Sequence, residues 1–225
     1  MFHVFTDFPF ASNDQFGAPY EWSTRDSVLS NSSVETNIDY IKTVYKLFPQ
    51  KKQISILDIG CGPGSFLEPF IEDGNIVLGL DGFYVNRKFG VGPWGRFPNN
   101  FFNCDIAKPF KACYDEYGRI NSDNLVYEFD IISTFEFMEH LYYEQLDQVF
   151  NNMYKHLKNG GIIVAGISFN QQGGHFIIEN RQWWIDKFKE FGLMNSKSLE
   201  NIMNNNYQKH YPTSHYLCFR KKDGI

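Results

Sequence analysis

The sequence contains no apolar run near the ~18 residues that a transmembrane helix needs, so no bilayer-spanning helix is expected among its 225 residues. Cysteine is scarce. Cys61, Cys104, Cys113 and Cys218 are all there are, and none sits in a C-x-x-C pair. A zinc ribbon and a dithiol redox motif are therefore excluded, and free thiols in a reducing compartment are expected. Positive charge is also short, with 21 Lys and Arg against 26 Asp and Glu and a net charge of −5. A protein that grips nucleic acid through many phosphates carries a basic face, so the balance argues against such a partner. The basic residues fall in small groups, Lys51-Lys52, Arg87-Lys88 and Arg220-Lys221-Lys222, which read as solvated loops or strand ends. The start, Met1-Phe2-His3-Val4-Phe5-Thr6-Asp7, has no basic stretch followed by an apolar one. No signal peptide is expected there, and a cytoplasmic location follows. Without such a signal the sequon Asn31-Ser32-Ser33 has no bearing. Charged residues make up only 21% of the chain and hydrophobic ones 43%, which excludes disorder over most of its length.

What the chain has in excess is aromatic rings, with 23 Phe, 13 Tyr and 4 Trp. Phe2, Phe5, Phe8, Phe10, Phe16, Tyr20 and Trp22 crowd residues 1–31 among turn formers, with no helical or strand period. Left in water, their apolar surface would cost ~25 cal/mol per Å². The stretch is expected to pack as a lid over the carboxyl edge of the sheet that follows, forming part of a pocket there. Ser32 and Glu35 have the spacing of a capping box, and Val34, Ile38, Ile41, Val44, Tyr45 and Phe48 then make a helical stripe that Pro49 ends. Residues 1–50 are thus read as lid and helix, and 51–225 as a single globular unit.

From residue 54 short apolar runs alternate with helical patterns. Strands are predicted at Ile54–Ile59, Ile76–Asp81, Phe101–Asp105, Tyr127–Ser133, Ile162–Ile167 and His215–Arg220. Helices are predicted at Ser65–Glu72, Leu141–Leu157 and Arg181–Phe191. Asn159-Gly160-Gly161 reads as the C-cap of the second of these and Gly192 as that of the third. Alternating strands and helices, with strands apolar on both faces, indicate an α/β sheet, mostly parallel and covered on both sides.

The strongest chemical signal follows the first of these strands. Gly60-Cys61-Gly62-Pro63-Gly64 is a G-x-G-x-G loop that lets a ligand approach the backbone. It lacks the spacing of dinucleotide binders, and with no Walker lysine it is not a P-loop. Asp58 precedes it and no Lys or Arg lies within it. A carboxylate there suits a cationic ligand, an ammonium or a sulfonium, better than a pyrophosphate. Asp81 ends the second strand, where an acid accepts hydrogen bonds from ribose hydroxyls, with Gly82 beside it. Asp105 ends the third, where a carboxylate can accept from an exocyclic amine.

These segments, together with Phe129-Asp130-Ile131-Ile132-Ser133, Glu136-Phe137-Met138-Glu139-His140-Leu141 and Leu157-Lys158-Asn159-Gly160-Gly161, occur in an order that resembles the class I S-adenosylmethionine-dependent methyltransferases. The resemblance implies a Rossmann-like fold with a mostly parallel seven-stranded sheet and helices on both faces. It implies S-adenosylmethionine as cofactor. Gly60, Cys61, Gly62 and Gly64 would lie along its methionine and ribose parts and Asp58 near its amino group. Asp81 with Gly82 would take the ribose, Cys104 and Asp105 would read the adenine edge, and Thr134 and Phe135 would flank the methionine moiety.

Methyl transfer needs mainly alignment, because the sulfonium carries the leaving group. A base is needed where the acceptor is protonated, and Glu136, Glu139, His140 and His175 are the candidates. The string Glu136-x-x-Glu139-His140 also resembles that of ubiquinone-pathway O-methyltransferases and small-RNA ribose methyltransferases, where it holds a metal. Similar strings also open helices with acids near the N-terminus and no metal, and the expectation here is a base without one. No [DN]-P-P-[YF] motif follows the fourth strand, which argues against adenine-amine methylation. No Pro-Cys nucleophile is present, which argues against cytosine-carbon methylation. The segment Phe83–Asn100 is broken by glycine and proline. Its Arg87, Lys88, Trp94 and Arg96 can be read as anion contacts or as a loop over the adenine. Trp183-Trp184 open a helix, one of them packing on the sheet. The main reading is methyl transfer to O or N of a small molecule or sugar. The alternatives are a metal-dependent RNA-ribose or polyphenol O-methyltransferase and a catalytically silent cofactor-binding protein.

Overall fold

The structure is a computed structural model that describes residues 1–11, 38–119, 123, 125–171, 174–207 and 214–222. Its strands are β1 (Phe2–Phe5), β2 (Ser55–Ile59), β3 (Ile76–Asp81), β4 (Phe101–Asn103), β5 (Lys111–Tyr114), β6 (Phe129–Phe135), β7 (Leu157–Ser168), β8 (Leu193–Asn195) and β9 (Ser214–Lys221). Its helices are α1 (Ile38–Leu47), α2 (Glu68–Glu72), α3 (Tyr84–Phe89), α4 (Pro93–Arg96), α5 (Leu146–His156), α6 (Arg181–Glu190) and α7 (Lys197–Tyr207).

Seven strands form one sheet in the order β4-β3-β2-β6-β7-β9-β8. β9 runs antiparallel to both β7 and β8, and the five strands β4, β3, β2, β6 and β7 pair in parallel. Because side chains alternate along a strand, each strand feeds two cores. Leu57, Leu78, Ile132, Ile163 and Phe219 point to one face, where they meet Val149, Phe150 and Met153 of α5 and Trp184 and Phe188 of α6. Ile56, Val77, Ile131, Val164 and Cys218 point to the other, against Tyr40 and Val44 of α1, Phe70 of α2 and Leu199 and Met203 of α7. Phe188 stacks on Phe219 with centroids 3.8 Å apart. Burying a ring of this size contributes ~2–3 kcal/mol. The expected fold is therefore the observed one.

Several local readings are corrected. Residues 2–5 do form a strand, since β1 pairs antiparallel with β5 and buries Phe2 against Tyr114, Tyr127 and Phe129. Phe129 opens β6, so this small two-stranded sheet sits toward the amino ends of the strands, opposite the face a ligand would use. From there the chain climbs until Phe8 O accepts from Asp105 N–H (2.9 Å) and Ala11 N–H donates to Gly82 O (3.2 Å). Residues 12–37, with Phe16, Tyr20, Trp22 and the Ser32–Glu35 box, lie outside the described residues. The helix read at Leu141–Leu157 is a turn followed by α5, which ends at His156 and runs straight into β7. Gly160 (φ +69) is therefore no helix cap. Register jumps from Phe129↔Leu157 to Ile131↔Ile162, so residues 158–161 bulge out of the ladder, and the glycine supplies the left-handed residue that the bulge requires. The strand β8 and the helix α7 were not foreseen.

The basic groups are less solvated than their sequence suggests. Lys221 is buried. Its Nζ donates to Tyr154 O (2.9 Å) and Leu157 O (2.7 Å) and lies over the Tyr154 ring. Lys51 and the bulge residue Lys158 both bond Asp130 Oδ1, at 2.6 and 2.9 Å, while Asp130 Oδ2 accepts from Ser55 N–H and Oγ–H. Burial alone would raise the Asp130 pKa, but these partners outweigh it and hold the carboxyl below its usual value. Asp130→Ala leaves a buried N–H and two lysines without their acceptor. It should lower stability by about 2–4 kcal/mol in urea denaturation, whereas Ser55→Ala should cost about 1 kcal/mol.

Candidate functional site

In the sheet order, the chain builds outward from β2 through β3 to β4 on one side and from β6 to β7 on the other. The direction of winding reverses between β2 and β6, and a crevice opens at their carboxyl ends, where ligands bind in open α/β sheets. The loop after β2 carries the glycines, and the loop after β6 carries Glu136 to His140.

On the β2 side, Asp58 and Ser133 face each other across the two strands, and Ser133 Oγ–H donates to Asp58 Oδ1 at 2.6 Å. Asp58 is buried, and desolvation, with a further push from Asp81, raises its pKa to about 7 despite the serine. Asp81 is also buried and raised to about 6 by desolvation, although Gly62 N–H (2.8 Å) and Phe83 N–H (2.7 Å) donate to it. Among the described residues no Lys, Arg or His bonds either carboxyl. Two adjacent buried acids with no cation form a site that a cation would complete.

The glycine loop is held from outside. Gly60 N–H donates to Leu80 O and Gly64 N–H to Cys61 O, both at 2.9 Å. Gly62 O accepts from Trp94 Nε1 (2.9 Å) and Asn86 Nδ2 (3.1 Å). Gly62 has φ +49, and a Cβ on it would meet nothing within 4 Å, so this residue turns an open face outward. Of the Phe83–Asn100 residues that could be read as anion contacts, three have partners within the protein. Trp94 is buried against Phe101 (5.3 Å), Arg87 Nη1 bonds Phe101 O (2.8 Å), and Arg96 pairs with Glu68. These groups brace the loop. Of the braces, Ser133 and Asn86 went unrecognised in the sequence, because nothing local marks a residue that bonds across strands.

The Cys61 and Cys104 thiols are both buried in the cores. All four cysteines are free and buried. Asp105 is buried, with Oδ1 accepting from Ala107 N–H at 3.0 Å and its pKa raised by desolvation. The N-terminal residues Phe8 to Ala11 lie against it and Gly82. Thr134 is fully buried and its Oγ1 has no hydrogen-bond partner. Phe135 packs among Tyr40, Phe66 and Tyr216.

On the β6 side, the loops after two neighbouring strands are stitched together. Glu136 has φ +48, a left-handed backbone rare for a residue with a side chain, held by its N–H to Gly166 O (2.8 Å). Glu139 is fully buried. Its Oε1 accepts from Ser168 N–H at 2.8 Å, and its carbonyl accepts from Phe176 and Ile177. His140 Nδ1 is 2.7 Å from Gly174 O, and His175 Nδ1 is 2.9 Å from Asn170 O. A carbonyl only accepts, so each Nδ1 carries the proton, and each Nε2 keeps a free lone pair. The two rings stand perpendicular with centroids 4.8 Å apart. All four candidate residues are thus at one place. Burial and the neighbouring His175 lower the His140 pKa, although Gly174 O pulls the other way. Desolvation, then the charge of Glu136, raises Glu139 to about 8.

No helix among the described residues is long and apolar enough to cross a membrane. A family model described as a methyltransferase domain matches residues 35–206, and the chain belongs to that family. No curated protein matches. Solved structures of the same fold include a TehB-like SAM-dependent methyltransferase from Corynebacterium glutamicum (TM-score 0.60, 16% identity, 90% of this chain and 97% of that one). Another is 1,6-didemethyltoxoflavin-N1-methyltransferase from Burkholderia thailandensis, with 1,6-didemethyltoxoflavin and S-adenosylhomocysteine bound (0.58, 14%, 97% and 94%). A third is an amino pentose methyltransferase from Micromonospora echinaspora (0.56, 13%, 87% and 95%).

Glu139 also gives a pH prediction. Its pKa is higher in the folded chain than the ordinary 4.5, so its contribution to stability is complete below pH ~4.5 and is lost as pH rises toward about 8. Glu139→Gln keeps an acceptor for Ser168 N–H and never ionises. Its denaturation midpoint should gain on the wild type steadily from pH 5 to pH 8 and level off above. A constant difference across that range would show that the carboxyl is ionised throughout.

Proposed function

We propose that the chain transfers the methyl group of S-adenosylmethionine to an oxygen or nitrogen of a small molecule or sugar. The observation that carries this reading is the pair of buried, cation-free carboxyls, Asp58 and Asp81, beside the open face of Gly62. S-adenosylmethionine carries an ammonium and a sulfonium, and its ribose offers two hydroxyls to an acid at the end of β3. The donor set therefore fits the cofactor. Neighbours of the same fold named as methyltransferases of 1,6-didemethyltoxoflavin and of an amino pentose support the acceptor class.

Once bound, the cofactor supplies an electrophilic methyl group on a good leaving group, and the protein's share is alignment and proton removal. Asp58 and Asp81 hold the cationic and ribose parts, and Gly62 allows close approach. Thr134 Oγ1, buried without a partner, is an available hydrogen-bonding group at the end of β6. His140 and His175 offer Nε2 lone pairs, and the lowered pKa of His140 keeps its imidazole neutral near pH 7, as a proton acceptor must be. Glu139, buried beside Glu136 with its pKa raised to about 8, is largely protonated at pH 7 and adds little charge there. Residues 8–11 run along the same edge, where Phe8 O accepts from Asp105 N–H and Ala11 N–H donates to Gly82 O.

Calorimetry with S-adenosylmethionine tests the cofactor reading. Asp81→Ala should lose on the order of 2–4 kcal/mol of binding, about 30-fold or more, in a folded protein. Only the ionised acids attract the cation, and their pKa values are about 7 and about 6, so affinity should rise from pH 5.5 to pH 8. Unchanged affinity in both experiments would contradict the proposal. In turnover, His140→Ala should lower kcat by ~10²–10⁴ while leaving cofactor affinity within a few fold.

A further inference from the structure

We infer that residues 6–11 are a strap that walls the purine end of the S-adenosylmethionine site, so that the chain's own N-terminal segment sets how tightly the base is held. The identity of the ligand rests on the proposed function; the geometry of the strap does not. The strap is anchored on both sides. Before it, β1 is zipped to β5, Phe2 is buried, and the Met1 ammonium donates to Asp115 O (2.6 Å). At its start, Thr6 Oγ1 accepts from Phe8 N–H at 3.0 Å, which closes a local turn. Pro9 fixes its own φ and favours an extended backbone at Phe8, so the segment has few alternative conformations. Beyond the turn, Phe8 O accepts from Asp105 N–H (2.9 Å) and Ala11 N–H donates to Gly82 O (3.2 Å). Gly82 directly follows β3 and Asp105 lies just past the end of β4, so residues 8–11 span the carboxyl ends of these two neighbouring strands.

A nucleoside held by its ribose on Asp81, with its base directed at Asp105, follows the same line from the end of β3 to the end of β4. The strap runs along that line. Two features mark the contact as built in. Gly82 is not among the glycines with a left-handed backbone, so its conformation does not call for glycine. Space does. A Cβ on residue 82 would come 2.7 Å from the Ala11 Cβ, nearer than two carbons pack. The missing side chain is what lets the strap lie on the end of β3. The second feature is a pair of exposed rings. Phe8 and Phe10 are 44% and 54% exposed, yet both are held in place, Phe8 under Lys108 Nζ (5.7 Å) and Phe10 edge-on to Tyr84 (6.3 Å). Rings fixed half in water beside a nucleoside site offer apolar surface that a flat base can cover, and such contacts tolerate any purine face.

The test compares Gly82→Ala with the compensating pair Gly82→Ala/Ala11→Gly in the full chain, because the second change removes the carbon that the first one strikes. Calorimetry with S-adenosylhomocysteine reads the effect, and the denaturation midpoint without ligand reports folding. Gly82→Ala should weaken binding by about 10-fold or more, and the pair should restore it to within about 3-fold of the wild type. Phe10→Ala, which removes an exposed ring and keeps the backbone, should weaken binding by about 5-fold with an unchanged midpoint. Amide hydrogen exchange follows the strap itself. The Asp105 N–H should be protected in the wild type and in the pair but not in Gly82→Ala, and S-adenosylhomocysteine should slow exchange at Ala11 further. Wild-type affinity in both Gly82→Ala and Phe10→Ala overturns the inference. So does failure of the pair to restore binding, since the added carbon would then act on the ligand directly. Faster exchange at Ala11 with ligand, or tighter binding by Gly82→Ala, overturns it too, because the strap would then occupy the purine's own place. A folded wild type that binds no S-adenosylhomocysteine overturns the proposed function and the strap's role with it, an outcome distinct from binding that the variants leave unchanged.

Discussion

β2 and β6 run side by side while the rest of the sheet winds away from them in opposite directions, and the candidate site depends on that reversal. Two loops that would otherwise be covered by crossover helices are left facing each other, one after Ile59 and one after Phe135. The pairing is fixed at the crevice itself by the 2.6 Å bond from Ser133 to Asp58 and at the far end by Asp130 on Ser55. Parallel pairing places both loops at the same edge. An antiparallel β6 would carry Glu136 to His140 to the opposite side of the molecule from the glycines.

The fold buries acids on both sides of this crevice. Asp58 and Asp81 lie under the glycine loop, and Glu139 lies under the two histidines. Desolvation is the leading cause of every one of their raised pKa values. A chain selected for stability alone would replace them with apolar groups, since burying a carboxyl without its counter-ion is unfavourable. The two continuous apolar layers supply the stability that tolerates this. The brace around Gly62 fixes the loop over the acids, because Asp81 takes its N–H while Trp94 and Asn86 donate to its carbonyl.

Much of this was legible in the chain. Strand runs apolar on both faces gave the parallel sheet, because only strands covered on both sides read that way. Asp58, the glycines, Asp81 and Asp105 are local to strand ends, so their order along the chain already placed them at one edge. His140 and His175 could be brought together because they follow strands that pair. What escaped has a common cause. The β1–β5 pairing, the Lys158–Asp130 contact and the Ser133–Asp58 bond join residues 75 or more apart, or depend on a bulge, and no short window contains both partners. Asn159-Gly160-Gly161 misled because a left-handed glycine serves a helix cap and a strand bulge equally well. Arg87 and Arg96 left two readings open because a cation in a loop looks the same whether it serves a ligand or a carbonyl.

The central claim is that the donor site under the glycine loop and the Glu139–His140–His175 cluster open on one shared space. A crystal structure of the full chain with S-adenosylhomocysteine tests it most directly. The account predicts the ligand's ribose on Asp81, its amino group toward Asp58, and its sulfur within about 8 Å of an imidazole of His140 or His175, room for one acceptor atom and a proton transfer. A sulfur facing away from that cluster, with protein side chains filling the space between, would contradict it.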